Sequence, residues 1–192
     1  AFSGHIQPLM FVWGVIYQLF DPVYAPTVLV SLQFLFVLGS VWWVWREFGV
    51  LPGFAMLLYY PLWANVLFDF HFDHLSIPIL TAFFIFCDKK RFKLAALVAT
   101  SLVLIKEPFS LQVIFCGVYM IWLAFRVKDK IHTNSLLWLS SGLIFVGLVW
   151  FYISMYLVLP YFSGVEGVQG DAYNWLGTGM LDKLYTVTFR PD

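Results

Sequence analysis

Charge is the scarcest property of this 192-residue chain: 11% of its residues are Asp, Glu, Lys or Arg, eleven acidic and eleven basic, and the formal net charge is zero. So few cations on a neutral chain exclude the basic footprint that a nucleic-acid partner requires. Cysteine is scarce too. Cys87 and Cys116 both lie in apolar stretches and read as small buried hydrophobes rather than as a disulfide or a metal pair. There is no phosphate-cradling G-x-x-x-x-G-K, no G-x-G-x-x-G, no G-x-S-x-G and no H-E-x-x-H, so nothing reads as a cofactor box or a zinc site. No apolar run carries an arginine ladder, and no internal repeat or low-complexity tract appears. The chain starts at Ala1 without Met or a signal-type basic region and ends at Asp192 in a polar stretch, which reads as a piece of a longer protein.

What fills the chain is apolar: 61% of residues are hydrophobic and 21% aromatic, against about 45–50% apolar in soluble domains. The expected class is therefore all-α, a polytopic transmembrane helix bundle in a lipid bilayer. A helix rising about 1.5 Å per residue needs about 20 residues to cross a ~30 Å hydrocarbon core. Six runs serve as candidate membrane helices: Val23–Trp45, Gly49–Phe68, Leu75–Cys87, Phe92–Ile105, Phe109–Phe125 and Leu136–Leu159. A seventh, Leu9–Phe20, is too short to cross and reads as an interfacial helix between Pro8 and Asp21–Pro22. This makes residues 1–159 a transmembrane helical domain. The Gly-rich, polar stretch 160–192 reads as an extracytoplasmic loop opening a further region.

Joining the runs in order puts Arg46, the DKKRFK turn (88–93) and RVKDK (126–130) on one side. That side holds eight of the eleven basic residues, Arg46, Lys89, Lys90, Arg91, Lys93, Arg126, Lys128 and Lys130. The positive-inside rule makes it cytoplasmic, and the multi-pass protein is expected in the cell membrane. Eight of the eleven acids fall on the other, extracytoplasmic side, among them Asp69, Asp73 and Glu107.

One stretch of that outer side stands out: NVLFDFHFDHLSIP, residues 65–78, crowds Asp69, His71, Asp73 and His74 among phenylalanines. The two runs that follow are short. At 13 and 14 residues they reach about 20 Å, so the outer loops DFHFDH and Lys106-Glu107-Pro108 are expected to end below the outer surface. Ionisable groups facing lipid there cost about 2.5–3.5 kcal/mol each, so the two loops are expected to meet in a watery recess. Each residue also has a plainer role. Asp73 or Ser76 would cap the helix starting near Leu75, Glu107 would complement the dipole of the next helix, and Lys106 would snorkel or pair with a carboxylate. The H-x-x-H spacing of His71 and His74, with Asp69 and Asp73, matches four ligands for a divalent ion, a weak signal on its own. Asp69 and His71 follow a helix end with no new helix to cap; an acid near an imidazole suits proton transfer or phosphate and sugar-hydroxyl binding.

The order GHIQPLMF, LLYYPLWANVLFDFHFDHLSIP, KKRFKLAALVATSLVLIKEPF and MYLVLPYF resembles the DUF2079 family of predicted polytopic membrane proteins, through His5, Pro8, Pro61, Phe68–His71, Lys106 and Glu107. That family in turn resembles the GT-C integral-membrane glycosyltransferases. The resemblance implies transfer of a sugar from a polyprenyl-phosphate carrier at the extracytoplasmic face, often with a divalent cation. On the enzyme reading, the recess takes Asp69, His71 and Glu107 as catalytic residues, and His5, Asp73, His74 and Lys106 as substrate-binding residues. The first helix and the leading acid of the first outer loop would precede Ala1. Two other readings stay open: an ion- or proton-coupled transporter built on the same ionisable groups, and a non-enzymatic structural or assembly protein.

Overall fold

The computed structural model describes residues 6–127, 130–163 and Tyr185, and among these residues every regular element is helical. The chain divides into two compact units, Gln7–Phe151 on the one hand and Ala1–Ile6 with Tyr152–Asp192 on the other.

In the larger unit, α1 (Met10–Gln18) is a nine-residue helix, too short to cross a membrane. Asp21 then starts α2 (Ala25–Phe48): its Oδ1 accepts the Val23 N–H at 2.9 Å and its carbonyl accepts the Tyr24 and Ala25 N–H groups. The buried face of α2 is a row spaced by four, Ala25, Leu29, Gln33, Val37 and Val41, the helical repeat that keeps one stripe inward. Gly49, at φ 98°, turns the chain back into α3 (Val50–Leu57), which packs on α2 so tightly that a Cβ on Gly53 would lie 2.6 Å from Trp45 Cβ.

The expected single span Gly49–Phe68 is broken. α3 ends at Leu57, α4 (Tyr60–Phe68) begins after it, and the two are bent by 50°. Pro61 is the physical reason, because it has no N–H to donate to the Leu57 carbonyl one turn earlier. That freed oxygen instead accepts the Trp63 indole N–H at 2.6 Å.

A 3₁₀ turn, Phe72–Leu75, runs directly into α5 (Ser76–Asp88). The turn into α6 (Phe92–Thr100) is closed by Arg91 N–H on the Phe86 carbonyl and Lys90 N–H on the Cys87 carbonyl, with Lys90 left-handed at φ 56°. This is the bonding pattern of a Schellman cap, in which glycine is the usual occupant. A second 3₁₀ turn, Ser101–Leu104, prolongs α6, and a short corner leads to α7 (Phe109–Arg126) and α8 (Lys130–Tyr152). Phe83, Ala95, Ala99, Leu102, Ile105, Val113, Met120 and Leu136 form the core of α5 to α8. α7 and α8 meet backbone to backbone: a Cβ on Gly117 would lie 2.9 Å from the Ser140 carbonyl oxygen, and one on Gly147 would lie 2.7 Å from that of Ser110. Small residues seven apart on each helix, Ser110 and Gly117, Ser140 and Gly147, make this approach possible.

Six membrane spans were expected; among the described residues three helices are long and apolar enough, Ala25–Phe48, Phe109–Arg126 and His132–Phe162, or four if the bent pair α3–α4 counts as one. α5 has 13 residues and Phe92–Leu104 is likewise a short apolar helix. In the smaller unit, the chain continues as a π-helical segment, Ile153–Val158, and α9 (Leu159–Ser163), with Tyr152 and Tyr156 stacked at 5.2 Å. The expected loop from residue 160 therefore starts helical, and its remainder, apart from Tyr185, lies outside the described residues.

The end of the larger unit expected to be basic is assembled as such. Lys89 Nζ lies 2.6 Å from Glu47 Oε1 across α2 and the α5–α6 turn, Phe92 packs edge-on to His132 at 6.0 Å, and Arg126 lies 4.8 Å over the Trp122 ring. Lys128 and Asp129 lie outside the described residues.

If Trp63 serves the carbonyl that Pro61 frees, Trp63→Phe lowers stability by about 1–2 kcal/mol in thermal or denaturant unfolding of the detergent-solubilised protein. In a Pro61→Ala background the same change costs clearly less, because the helix amide takes over the bond. Equal losses in both backgrounds would contradict this account.

Candidate functional site

The polar stretch is organised from beneath by Gln33, a residue not singled out from the sequence. Its side chain is fully buried in the apolar row of α2. The amide Nε2 donates to the Val66 carbonyl at 2.8 Å and to the Asp69 carbonyl at 3.0 Å, and Oε1 accepts the His71 N–H at 2.8 Å. These partners need it. α4 stops at Phe68, and Asp69 and His71 are extended (φ −157° and −130°), so their backbone groups have no helical neighbour to bond. Satisfying such groups in an apolar surrounding is obligatory.

Extended backbone alternates its side chains. Phe70 and Phe72 turn inward, 5.1 Å apart, and hold the buried Trp13 of α1 at 5.2 and 6.5 Å. Asp69 and His71 turn outward and are exposed. Asp69 Oδ1 also accepts the Phe70 N–H at 2.7 Å, which fixes the carboxylate against its own backbone. His74 Nδ1 lies 3.3 Å from the His71 carbonyl, and the two imidazoles stand nearly perpendicular with centroids 6.2 Å apart. Partial burial, the largest cause, pulls the His74 pKa below its ordinary 6.5; the bond to the His71 carbonyl and the Asp73 charge pull it back up. A depressed folded-state value means the unfolded chain takes up that proton more readily, so His74 subtracts stability as pH falls through the window below 6.5.

The second loop reaches the first. Lys106 Nζ stands 3.7 Å from Asp73 Oδ2, with Lys106 19% and Asp73 45% exposed. Glu107, next in the chain, is buried at 2% exposure, and its carbonyl accepts both the Ser110 hydroxyl at 2.6 Å and the Ser110 N–H at 3.2 Å. Pro108 lacks the N–H that would continue the helix onto the Leu104 carbonyl; that oxygen accepts the Leu9 N–H at 2.9 Å, which ties the start of α1 to the same corner.

The capping roles expected for Asp73 and Ser76 are not what these residues do. Neither α5 nor α7 has a side-chain cap, because each is entered through a residue already in helical conformation, Leu75 and Pro108. The Ser76 hydroxyl instead donates to the Asp73 carbonyl at 2.6 Å. The four-ligand arrangement of Asp69, His71, Asp73 and His74 is not formed either: among the described residues no three His, Cys, Asp or Glu side chains converge on a point that would hold a metal ion. The alternation of the strip and the Asp73–Lys106 pairing separate the four groups. His5 lies outside the described residues.

Compared with known protein families, the chain matches the model described as "Predicted membrane protein (DUF2079)" over residues 1–191. It belongs to the DUF2079 family. No curated protein and no solved structure matches it. For this DUF2079 protein, then, the candidate site comprises an outward pair, Asp69 and His71, an ion pair, Asp73 and Lys106, and a buried acid, Glu107. Gln33 and Trp13 hold it from below. The signal for Gln33 lay in the sequence: an amide in the middle of VLVSLQFLFVL, on the inward row of a helix, must have a partner there.

Replacing Gln33 by Met keeps the volume and removes all three bonds. The expected result is a loss of about 2–4 kcal/mol and faster hydrogen exchange at the His71 amide. Ser31→Ala, which removes only a bond to the Thr27 carbonyl on its own helix, leaves that exchange unchanged. Unchanged His71 exchange in Gln33→Met would show that the amide is not what holds the loop.

Proposed function

We propose that this protein is a GT-C-like glycosyltransferase that takes a sugar from a polyprenyl-phosphate carrier at the extracytoplasmic face of the membrane. The observation that carries this reading is the 3.7 Å Asp73–Lys106 pair, which sets the Asp69–His71 strip and the Lys106–Glu107 corner side by side at the end of the unit away from the basic turn. An ion pair this exposed contributes only about 0–1 kcal/mol to stability, so its value lies in placing charge.

The reaction assigns each group a task. An acceptor hydroxyl attacks the anomeric carbon, the carbon–oxygen bond to phosphate breaks, and the electron pair leaves with the lipid phosphate. Asp69, outward and oriented by the Phe70 N–H, takes the hydroxyl proton, and His71 relays it or contacts the phosphate. Lys106 supplies positive charge to the leaving phosphate, and His74 is a further contact to the substrate. Asp73 holds Lys106 in place, and Glu107 is the second acid, a base or the ligand of a divalent cation. His5, outside the described residues, would be a further substrate-binding residue.

The full-length protein in detergent is expected to bind and turn over a polyprenyl-phosphate sugar. Asp69→Asn and His71→Ala are expected to reduce turnover by roughly 10²–10⁴-fold with melting temperatures unchanged. Lys106→Gln is expected to raise KM for the donor about tenfold or more. Full turnover in both the Asp69 and the His71 variant would remove them from the mechanism. Asp69-dependent ion flux in proteoliposomes, without sugar transfer, would replace the enzyme by a transporter.

A further inference from the structure

At the opposite end of the larger unit, a cleft of about 510 Å³ lies between the α5–α6 turn and α8 and is lined by Lys90, Arg91, Lys93, Phe92, His132 and Ser135. Its volume falls in the range of small-molecule sites, about 300–1,000 Å³. From this cleft we propose a second site, independent of the one above, that binds the phosphate headgroup of an acidic phospholipid.

Three cations meet there within four residues. The fourth cation of the turn, Lys89, is committed to Glu47 at 2.6 Å. Lys90, Arg91 and Lys93 have no acidic partner among the described residues. The nearest acid in sequence, Asp88, lines a different groove with Val44, Phe48 and Tyr119. The turn does not simply trail into solvent. Its backbone is fixed by the bonds onto Phe86 and Cys87, and Phe92 is buried at the floor, edge-on to His132. The backbone that carries the three cations is therefore held in one conformation.

The apolar part of the lining decides between a lipid and a soluble anion. Leu94 lines the cleft; Leu97 follows it on α6 and Leu104 ends the 3₁₀ turn that prolongs α6, the three being exposed at 43%, 68% and 42%. Leu94 and Leu97, spaced by three, share one face of α6, and the exposed leucines lead from the cations towards the opposite end. A molecule with an anionic head and an acyl chain satisfies both surfaces at once, and basic pockets between membrane helices bind such headgroups. A free phosphate would leave the leucine track unused.

The test uses the full-length protein in phosphatidylcholine nanodiscs or detergent, titrated with phosphatidylglycerol, with bound lipid counted by native mass spectrometry and melting temperature followed in parallel. The parent is expected to retain phosphatidylglycerol at least tenfold more tightly than phosphatidylcholine. The double variant Arg91→Gln/Lys93→Gln is expected to lose most of that preference, whereas Arg46→Gln/Arg126→Gln, which removes equal charge outside the cleft, changes it less than twofold. An equal loss in both double variants would reduce the effect to diffuse surface charge and overturn the site. Equal affinity of the parent for the two lipids would overturn it without any variant. Glycerol phosphate or inorganic phosphate competing as well as the lipid at equal concentration would assign the cleft to a soluble anion and overturn the lipid.

Discussion

Everything at the polar end of this protein depends on one amide in an apolar helix. Hydrocarbon offers a backbone N–H or C=O no water to bond, so every departure from regular helix must supply its own partner. Three of the breaks in the larger unit are repaired in three different ways. The Leu57 carbonyl, freed by Pro61, takes the Trp63 indole; the Leu104 carbonyl, freed by Pro108, takes the Leu9 amide; the extended run from Asp69 to His71 takes both ends of Gln33. The last repair is the most consequential, because a single side chain satisfies three backbone groups and so fixes the path of the segment.

Fixing the path fixes the chemistry on it. Once Asp69–His71 is extended, its alternation sends Asp69 and His71 outward and Phe70, with Phe72 at the start of the 3₁₀ turn, onto Trp13. The aromatic cluster anchors the strip through apolar contact, and the amide sets its register. Neither the carboxylate nor the imidazole has to contribute to folding. That leaves both free to meet something else, which is how a preorganised site differs from a helix end that merely needs its charges.

Much of this was legible beforehand. Apolar fraction and run lengths gave the helical membrane class, and α2 and α7 lie within a few residues of their expected bounds. The shortness of the α5 and α6 runs pointed to the two outer loops meeting, and Asp73 and Lys106 do meet. Among the described residues fewer helices than the six expected pass on length and apolarity, because an apolar run says how greasy a segment is and not whether its ladder is continuous: Pro61 breaks one, and the α5 and α6 runs each supply only about 20 Å of helix. Capping was misread because Asp73 and Ser76 sit where caps sit, while the 3₁₀ turn carries the helix past them to Phe72. Gln33 escaped notice since its partners lie more than thirty residues away and are backbone groups, which no side-chain pattern announces.

The glycine contacts between α7 and α8 constrain what can move. At Gly117 and Gly147 only hydrogen fits between one helix and the backbone of the other. Rotating either helix by a single residue position would drive a side chain into a carbonyl oxygen. The two therefore turn and tilt as one body over their shared length. Glu107 and Lys106, at the head of α7, travel with that body, whereas Asp73 rides on α5. Any opening or closing of the polar end must take the form of a shear between these two carriers, with the Asp73–Lys106 gap as its gauge.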